Sequence, residues 1–427
     1  MDFSEDVLHF IWKHRLFNQG QLTTFSGKSL RIHKVGRHNQ HAGPDFETAS
    51  LSLNGVDWVG NVEIHLKSSD WDAHMHHKNH AYDNVILHVV FTHDREVYRG
   101  DGTSPETLVI GPLIQQQVLS DYQAMINNRG WIPCANLIHH VPPFHINQWL
   151  SRVMVERLLK KAQGVLDLLN QYQGDWEEVC YIVMARNFGF SVNSDAFEML
   201  AKSLPRKWIA KNKNKPLAIE ALLFGQSGML SQTFKQEYPS LLRKEYDYLC
   251  QAYKIKPMEE SVWKFLRMRP SNFPSMRIAQ FAALCFSCHH LFARIIDTEN
   301  INLCRKWFQN LPVNDFWKSH YHFKKPSRTL HGNQIGKMGI DSILLNTVPV
   351  MLFAYGMYTD NPCYVDRAVN LLESLPPEQN SIVQQFDALG VKSKNAADTQ
   401  AALHLKTIYC EGKRCLNCGI GLQIIKR

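Results

Sequence analysis

The sequence predicts an α+β protein, with strands confined to the first third of the chain and helices filling the rest. Three observations lead there. Asn54-Gly55 separates two strand-like runs, about Phe46 to Leu53 and Trp58 to Lys67, and a type I′ hairpin turn needs positive φ at both central residues. Val85 to Phe91 is an unbroken apolar run of strand length. From Ile146 onward the apolar residues recur at the helical period, as in Trp149, Val153, Leu158, Leu159, Val165 and Leu169.

Taken in order, residues 3 to 17 form a helix, with Ser4 as N-cap and Val7, Phe10, Ile11 and then Leu16 or Phe17 on one apolar stripe. Ser29 to Val35 is a short strand and the hairpin follows. Asp70 to Asn84 is a short helix or loop, and Val85 to Phe91 a buried strand. Leu113 to Asn128 is a helix, broken by the Arg129 to Cys134 stretch. The Pro-bearing turn His140 to Pro143 divides residues 1–140, an α/β domain, from residues 141–427, an irregular all-α domain ending in a cysteine cluster. Helical blocks in the second part include Pro239 to Tyr253, Arg277 to Ile296, Asp341 to Tyr355 and Asp398 to Tyr409, without a repeat of fixed period. Phe224 to Gly228 reads as a turn between helices.

Bulk properties narrow the function. A chain of 427 residues with 44% hydrophobic content has room for two cores. No apolar run approaches the roughly 20 residues that span a bilayer. The acidic start MDFSEDVLHF lacks a basic secretory leader, so a cytoplasmic protein with no membrane partner is expected. Ten irregularly spaced cysteines then point to reduced thiols or a metal site. A net charge of +8 and a pI near 8.9 suit a polyanionic partner.

Strand alternation concentrates the chemistry. Val62, Ile64 and Leu66 point one way, while Asn61, Glu63, His65 and Lys67 point the other. Asp45 opens the partner strand, so the hairpin brings its carboxylate toward Glu63. Two carboxylates beside an imidazole and an ammonium make a divalent-metal site, in which Mg²⁺ or Mn²⁺ takes oxygen ligands and a neighbouring group orients water.

The order helix, three strands, short helix, strand, with Pro44-Asp45 at a strand start and Glu63-Ile64-His65 on the third strand, resembles the restriction-endonuclease-like nucleases of the PD-(D/E)xK superfamily. That resemblance implies an αβββαβ core and metal-dependent phosphodiester hydrolysis. It also implies metal held by Asp45 and Glu63, with Glu5 of the first helix as a further acid. The superfamily's lysine position holds His65, and Lys67 lies two residues on; either could orient water. Over nearly its full length, in GPDF, WVGNVEIHLKSSDW, YDNVILHVV, ALLFGQSGML, FLRMRPSNFPSMRIAQ and CLNCGIG, the chain resembles a bacterial domain-of-unknown-function family, which implies no activity.

Histidines offer a competing centre. His65, His74, His76, His77, His80, His88 and His93 crowd one stretch, and imidazole suits Zn²⁺, Mn²⁺ or Fe²⁺. His76 and His80 share a face if that segment is helical, whereas His88 fits a hydrogen-bonded histidine inside a strand. Cys285-x-x-Cys288-His289 matches a haem attachment motif, but its apolar helical setting favours buried structural cysteines. At the C-terminus, Cys410, Cys415 and Cys418 are spaced C-x4-C-x2-C among glycines, a pattern for Zn²⁺ or an iron–sulfur cluster. Some superfamily nucleases carry a [4Fe–4S] cluster on three C-terminal cysteines and a distant one. By that analogy Cys134 is the fourth ligand, with Cys363 and Cys304 as alternatives.

Arg267, Arg269 and Arg277 flank a Pro-rigid loop with Asn272 and Phe273, suited either to clamping a nucleic-acid phosphate or to capping a helix. The expected protein is a metal-dependent nuclease, on DNA rather than RNA. One alternative is a non-catalytic nucleic-acid-binding or assembly protein that retains a degraded nuclease fold. A His-rich zinc hydrolase of a small substrate is the third.

Overall fold

The computed structural model describes residues 3–427. Contacts divide the chain into two units: Met1–Trp149 with Leu389–Val391 and Leu405–Arg427, and Leu150–Ala388 with Lys392–His404. The division falls inside a 29-residue helix, Pro143–Gln171, past the Pro-bearing turn. It also assigns Leu405–Arg427, with the C-terminal cysteines, to the first unit and not to the helical one.

The first unit holds a mixed sheet. Helix α1 is Glu5–His14, with Ser4 at the N-cap position and Val7, Phe10 and Ile11 buried as expected, joined by Leu8 and Trp12. The strands are β1 (Leu22–Thr23), β2 (Ser29–Lys34), β3 (Arg37–His38), β4 (Phe46–Leu53), β5 (Val56–Lys67), β6 (Val85–Thr92) and β7 (Thr107–Val109). Helix α2, Asp70–Ala73, lies between β5 and β6, and α3 is Gln116–Asn127. The sheet order is β1-β2-β4-β5-β6-β7, with β3 beside β4. β2, β4 and β5 are antiparallel, whereas β5, β6 and β7 are parallel. The strands of two or three residues escaped the sequence because they are too short to show a period.

Asn54 and Gly55 have φ of 48° and 82°, the left-handed pair that the β4–β5 turn demands. Near its other end β4 carries a bulge: Phe46 faces Val62, but the next pair is Ala49 with Gly60. Thr48, at φ 52°, absorbs the extra residue and donates its N–H to Asn61 Oδ1. The bulge therefore adjoins Asp45. Between β5 and β7, Val85 to Val90 of β6 are all buried, which suits an apolar sequence interrupted only by His88.

The second unit is helical but not all-α, since His320–His322 and Lys325–Pro326 pair as a small antiparallel hairpin. Arg277 to Ile296, expected as one helix, is two: Pro274–Ser287 and Leu291–Asp297, bent by 73° where His290 turns left-handed. Phe224 and Gly225 belong to the helix Pro216–Gln226 and not to a turn, which begins only beyond it. Contrary to the expectation from apolar run length, the helix Lys337–Tyr358 is long and apolar enough to cross a membrane. Most of its apolar window is buried within the protein, as in a core helix.

One apolar cluster supports the site directly: Trp71, Tyr82, Val85 and Val97. Trp71 is fully buried, donates Nε1–H to the Tyr98 carbonyl at 3.1 Å, and packs against the rings of His76 and His88. Trp71→Ala should therefore cost about 3–5 kcal/mol, measured as a shift in the denaturant midpoint.

Candidate metal centre

The two expected carboxylates are clamped by each other's backbone. Glu63 Oε2 accepts the Asp45 N–H at 3.1 Å, and Asp45 Oδ2 accepts the Ile64 N–H at 2.9 Å. Helix α1 packs against β5 and brings in two more groups, spaced i and i+4. His9 Nε2 lies 3.1 Å from Asp45 Oδ2, and the Glu5 carboxyl interacts with Asp45, His9, His74 and the Leu66 N–H. Glu5, Asp45 and Glu63 thus lie in one neighbourhood. The sequence reading missed His9, although its spacing from Glu5 in a predicted helix was a usable signal.

The histidine centre, expected as a rival, occupies the same place. His65 follows Glu63 on the same strand face, and α2 with the turn after it delivers His74 and His76. Met75, left-handed at φ 59°, reverses the chain between them. His65 Nε2 lies 3.2 Å from His74 Nδ1 and 3.3 Å from His76 Nε2, while Glu63 Oε1 lies 3.1 Å from His76 Nε2 and 3.6 Å from His65 Nε2. Bonds of about 2.0–2.1 Å from N or O to a tetrahedral ion separate ligand atoms by about 3.3 Å. His65, His74 and His76 therefore have the spacing of donors to one ion, with Glu63 Oε1 beside His76 and His65.

A second layer fixes the ligands. His65 Nδ1 is 2.8 Å from His88 Nε2, so in the tautomer that donates to His88 the Nε2 lone pair of His65 is left for an ion. His88 is buried and hydrogen-bonded, and His76 stacks on Tyr82 with ring centroids 3.8 Å apart. Electrostatics match the geometry. Burial, then the neighbouring imidazoles, push the His65 pKa down to about 2, so the ring is neutral, as a ligand must be. Burial, then the Asp45 charge, push the Glu63 pKa up to about 8. Burial likewise raises Glu5, with Asp45 adding to it and His74 and His9 opposing. Burial lowers His9, but the adjoining Asp45, with Glu5 and Asp6, outweighs it and raises the group. The site concentrates buried carboxylates whose charge an added cation would relieve.

Several expected residues lie elsewhere. Lys67 is exposed at the end of β5, where its N–H is bound by Asp70 Oδ2, so of the two groups expected to orient water only His65 is in the cluster. His80 does not share a face with His76, because the segment breaks into two short 3₁₀ turns and His80 pairs with Asp83 in solvent. The three arginines do not form one clamp. Arg267 and Arg269 are exposed, whereas Arg277 is buried in its helix, bonded to Asn272 and Gln280 and lying over the Phe190 ring. Arg269 and Arg277 do line one cavity of about 880 Å³ in the helical unit. Cys285 and Cys288 are buried. Cys134, Cys410, Cys415 and Cys418 line a common small void in the first unit, whereas Cys363 is exposed and Cys304 is buried in the second unit.

Residues 5–381 match a family described as "Protein of unknown function (DUF2851)". No curated protein matches the chain. No solved structure matches it either.

Because Glu63 holds its proton more tightly in the folded chain, stability of the metal-free protein falls as pH rises from about 4.5 toward 8. Glu63→Gln should flatten that fall and stabilise the metal-free protein at pH 8 by on the order of 2 kcal/mol. Paired chemical denaturation curves at pH 5 and pH 8 measure it.

Proposed function

The chain belongs to the DUF2851 family of proteins of unknown function, and we propose that it is a metal-dependent hydrolase of nucleic-acid phosphodiester bonds, acting on DNA in preference to RNA. The observation that carries the reading is the grouping of His65, His74 and His76 within reach of one ion, with Glu63 against His76 and His65, and Asp45, Glu5 and His9 beside them. Antiparallel β2, β4 and β5 followed by parallel β6, with α1 packed on β5, support the resemblance to the αβββαβ nuclease core. The net charge of +8 supports a polyanionic substrate.

The donor set favours Zn²⁺ or Mn²⁺ over Mg²⁺, because three imidazoles crowd one carboxylate and Mg²⁺ prefers an octahedral oxygen shell. His65, His74, His76 and Glu63 would hold the ion. When bound, it supplies Lewis acidity toward a phosphoryl oxygen and lowers the pKa of water at the reacting centre. Asp45, held by the Ile64 N–H, keeps its second oxygen for an incoming water or for the ion. His9, held above its ordinary pKa by Asp45 in spite of burial, is placed to deliver a proton to the departing oxygen. Glu5 holds His9 and His74 in place through its charge.

The His₃–Glu spacing favours a second reading, a zinc hydrolase of a smaller substrate. A cleavage assay with single- and double-stranded DNA and RNA, under Zn²⁺, Mn²⁺ or Mg²⁺, separates the two. Cleavage should appear with Zn²⁺ or Mn²⁺. His76→Ala and Asp45→Asn should remove it while leaving salt-dependent nucleic-acid binding intact. Metal-loaded protein that never cuts any of the four substrates sinks the nuclease reading. His9→Gln should lower kcat about 100-fold, and wild-type activity should decline on the alkaline side as His9 loses its proton, a limb that the variant lacks.

A further inference from the structure

Four cysteines from two distant stretches of the first unit line a void of about 20 Å³, with Met125, Pro133, Tyr409 and Gly421 completing its wall. Cys134 lies in the turn after α3, where its carbonyl accepts the Leu137 and Ile138 N–H groups, both at 2.9 Å. Cys410 ends the π-helical segment Leu405–Cys410, Cys415 opens the 3₁₀ turn Cys415–Asn417, and Cys418 is the N-cap of the last helix, Gly419–Ile425. The loop between them is pinned down, since Lys413 Nζ donates to the carbonyl of Ile126 at 2.6 Å, near the end of α3. A Cβ on Gly421 would lie 2.2 Å from the Cys415 carbonyl oxygen, so only glycine lets that helix close onto the cysteine turn.

We infer that Cys134, Cys410, Cys415 and Cys418 hold a metal centre through four thiolates, and that this centre fastens Leu405–Arg427 to the end of α3. The inference is independent of the proposed hydrolase site. Cys134, Cys415 and Cys418 are each less than a tenth exposed, and among the described residues no disulfide forms, so the sulfurs are gathered without being bonded to one another. Four cysteines held on turns around one small void are suited to ligating a metal centre through their thiolates. Each thiol gives up its proton as it ligates, so assembly of the centre releases protons.

The test uses the full chain carrying His74→Ala and His76→Ala, which empties the other candidate site, purified without oxygen. Stoichiometric zinc without sulfide, or iron with matching inorganic sulfide and visible charge-transfer absorption, supports four-thiolate ligation and says whether an ion or a cluster is bound. Adding Cys134→Ser should remove that metal along with those three C-terminal ligands' protection. In wild-type protein, the four cysteines should resist alkylation as a set until a chelator is added, a readout that does not depend on a variant's folding. Folded protein without metal, or metal retained after Cys134→Ser, overturns the inference.

Discussion

The candidate site depends on one reciprocal contact. Asp45 and Glu63 each bind a backbone N–H on the other's strand, so the carboxylates cannot separate without breaking the β4–β5 register. Side chains alternate along a strand, and a slip of one residue would turn Glu63 and His65 to the opposite face. The Asn54-Gly55 turn sets that register from one end, and the bulge at Thr48 resets it beside the site. Every other group of the cluster is then placed relative to β5: α1 packs on it, and α2 leaves its end toward the two further histidines.

Such an arrangement is costly to the folded chain. Glu63 is 4% exposed and His65 only 1%, and both are held in their less polar protonation states by burial and by neighbours of like charge. A buried polar network is favourable only when its members are satisfied, and here each relies on another titratable group: Glu63 on His76, His65 on His88. Trp71 and Tyr82 provide the apolar wall against which these rings are fixed. Stability given up in this way is common at functional sites.

From the residues alone, the carboxylates and the histidines look like rival centres. They are one cluster, because Met75 turns the chain so that His74 and His76 return to the β5 face that already holds Glu63 and His65. That merger changes the chemistry, since oxygen donors alone suit Mg²⁺ whereas mixed nitrogen and oxygen donors suit Zn²⁺ or Mn²⁺. It also explains why a lysine at the end of β5 is dispensable to the cluster: His65 occupies the neighbouring position, and Lys67 extends into solvent.

What the amino-acid sequence determined by itself was local and periodic. The hairpin, the buried β6, the helix α1 and most helical blocks could be read because turn chemistry and apolar spacing act over a few residues. The approach of Asp45 to Glu63 was also legible from the two-residue turn, whereas the bulge at Thr48 that sets their final register was not. The tertiary structure alone decided the rest. His9 joined the site through helix packing, Arg267 and Arg277 parted because one faces solvent and the other is buried against the Phe190 ring, and Leu405–Arg427 grouped with the first unit by long-range contacts. Short strands, a broken helix and the meeting of residues far apart in the chain leave no periodic trace. They are set by which surfaces bury one another, and that depends on the whole fold.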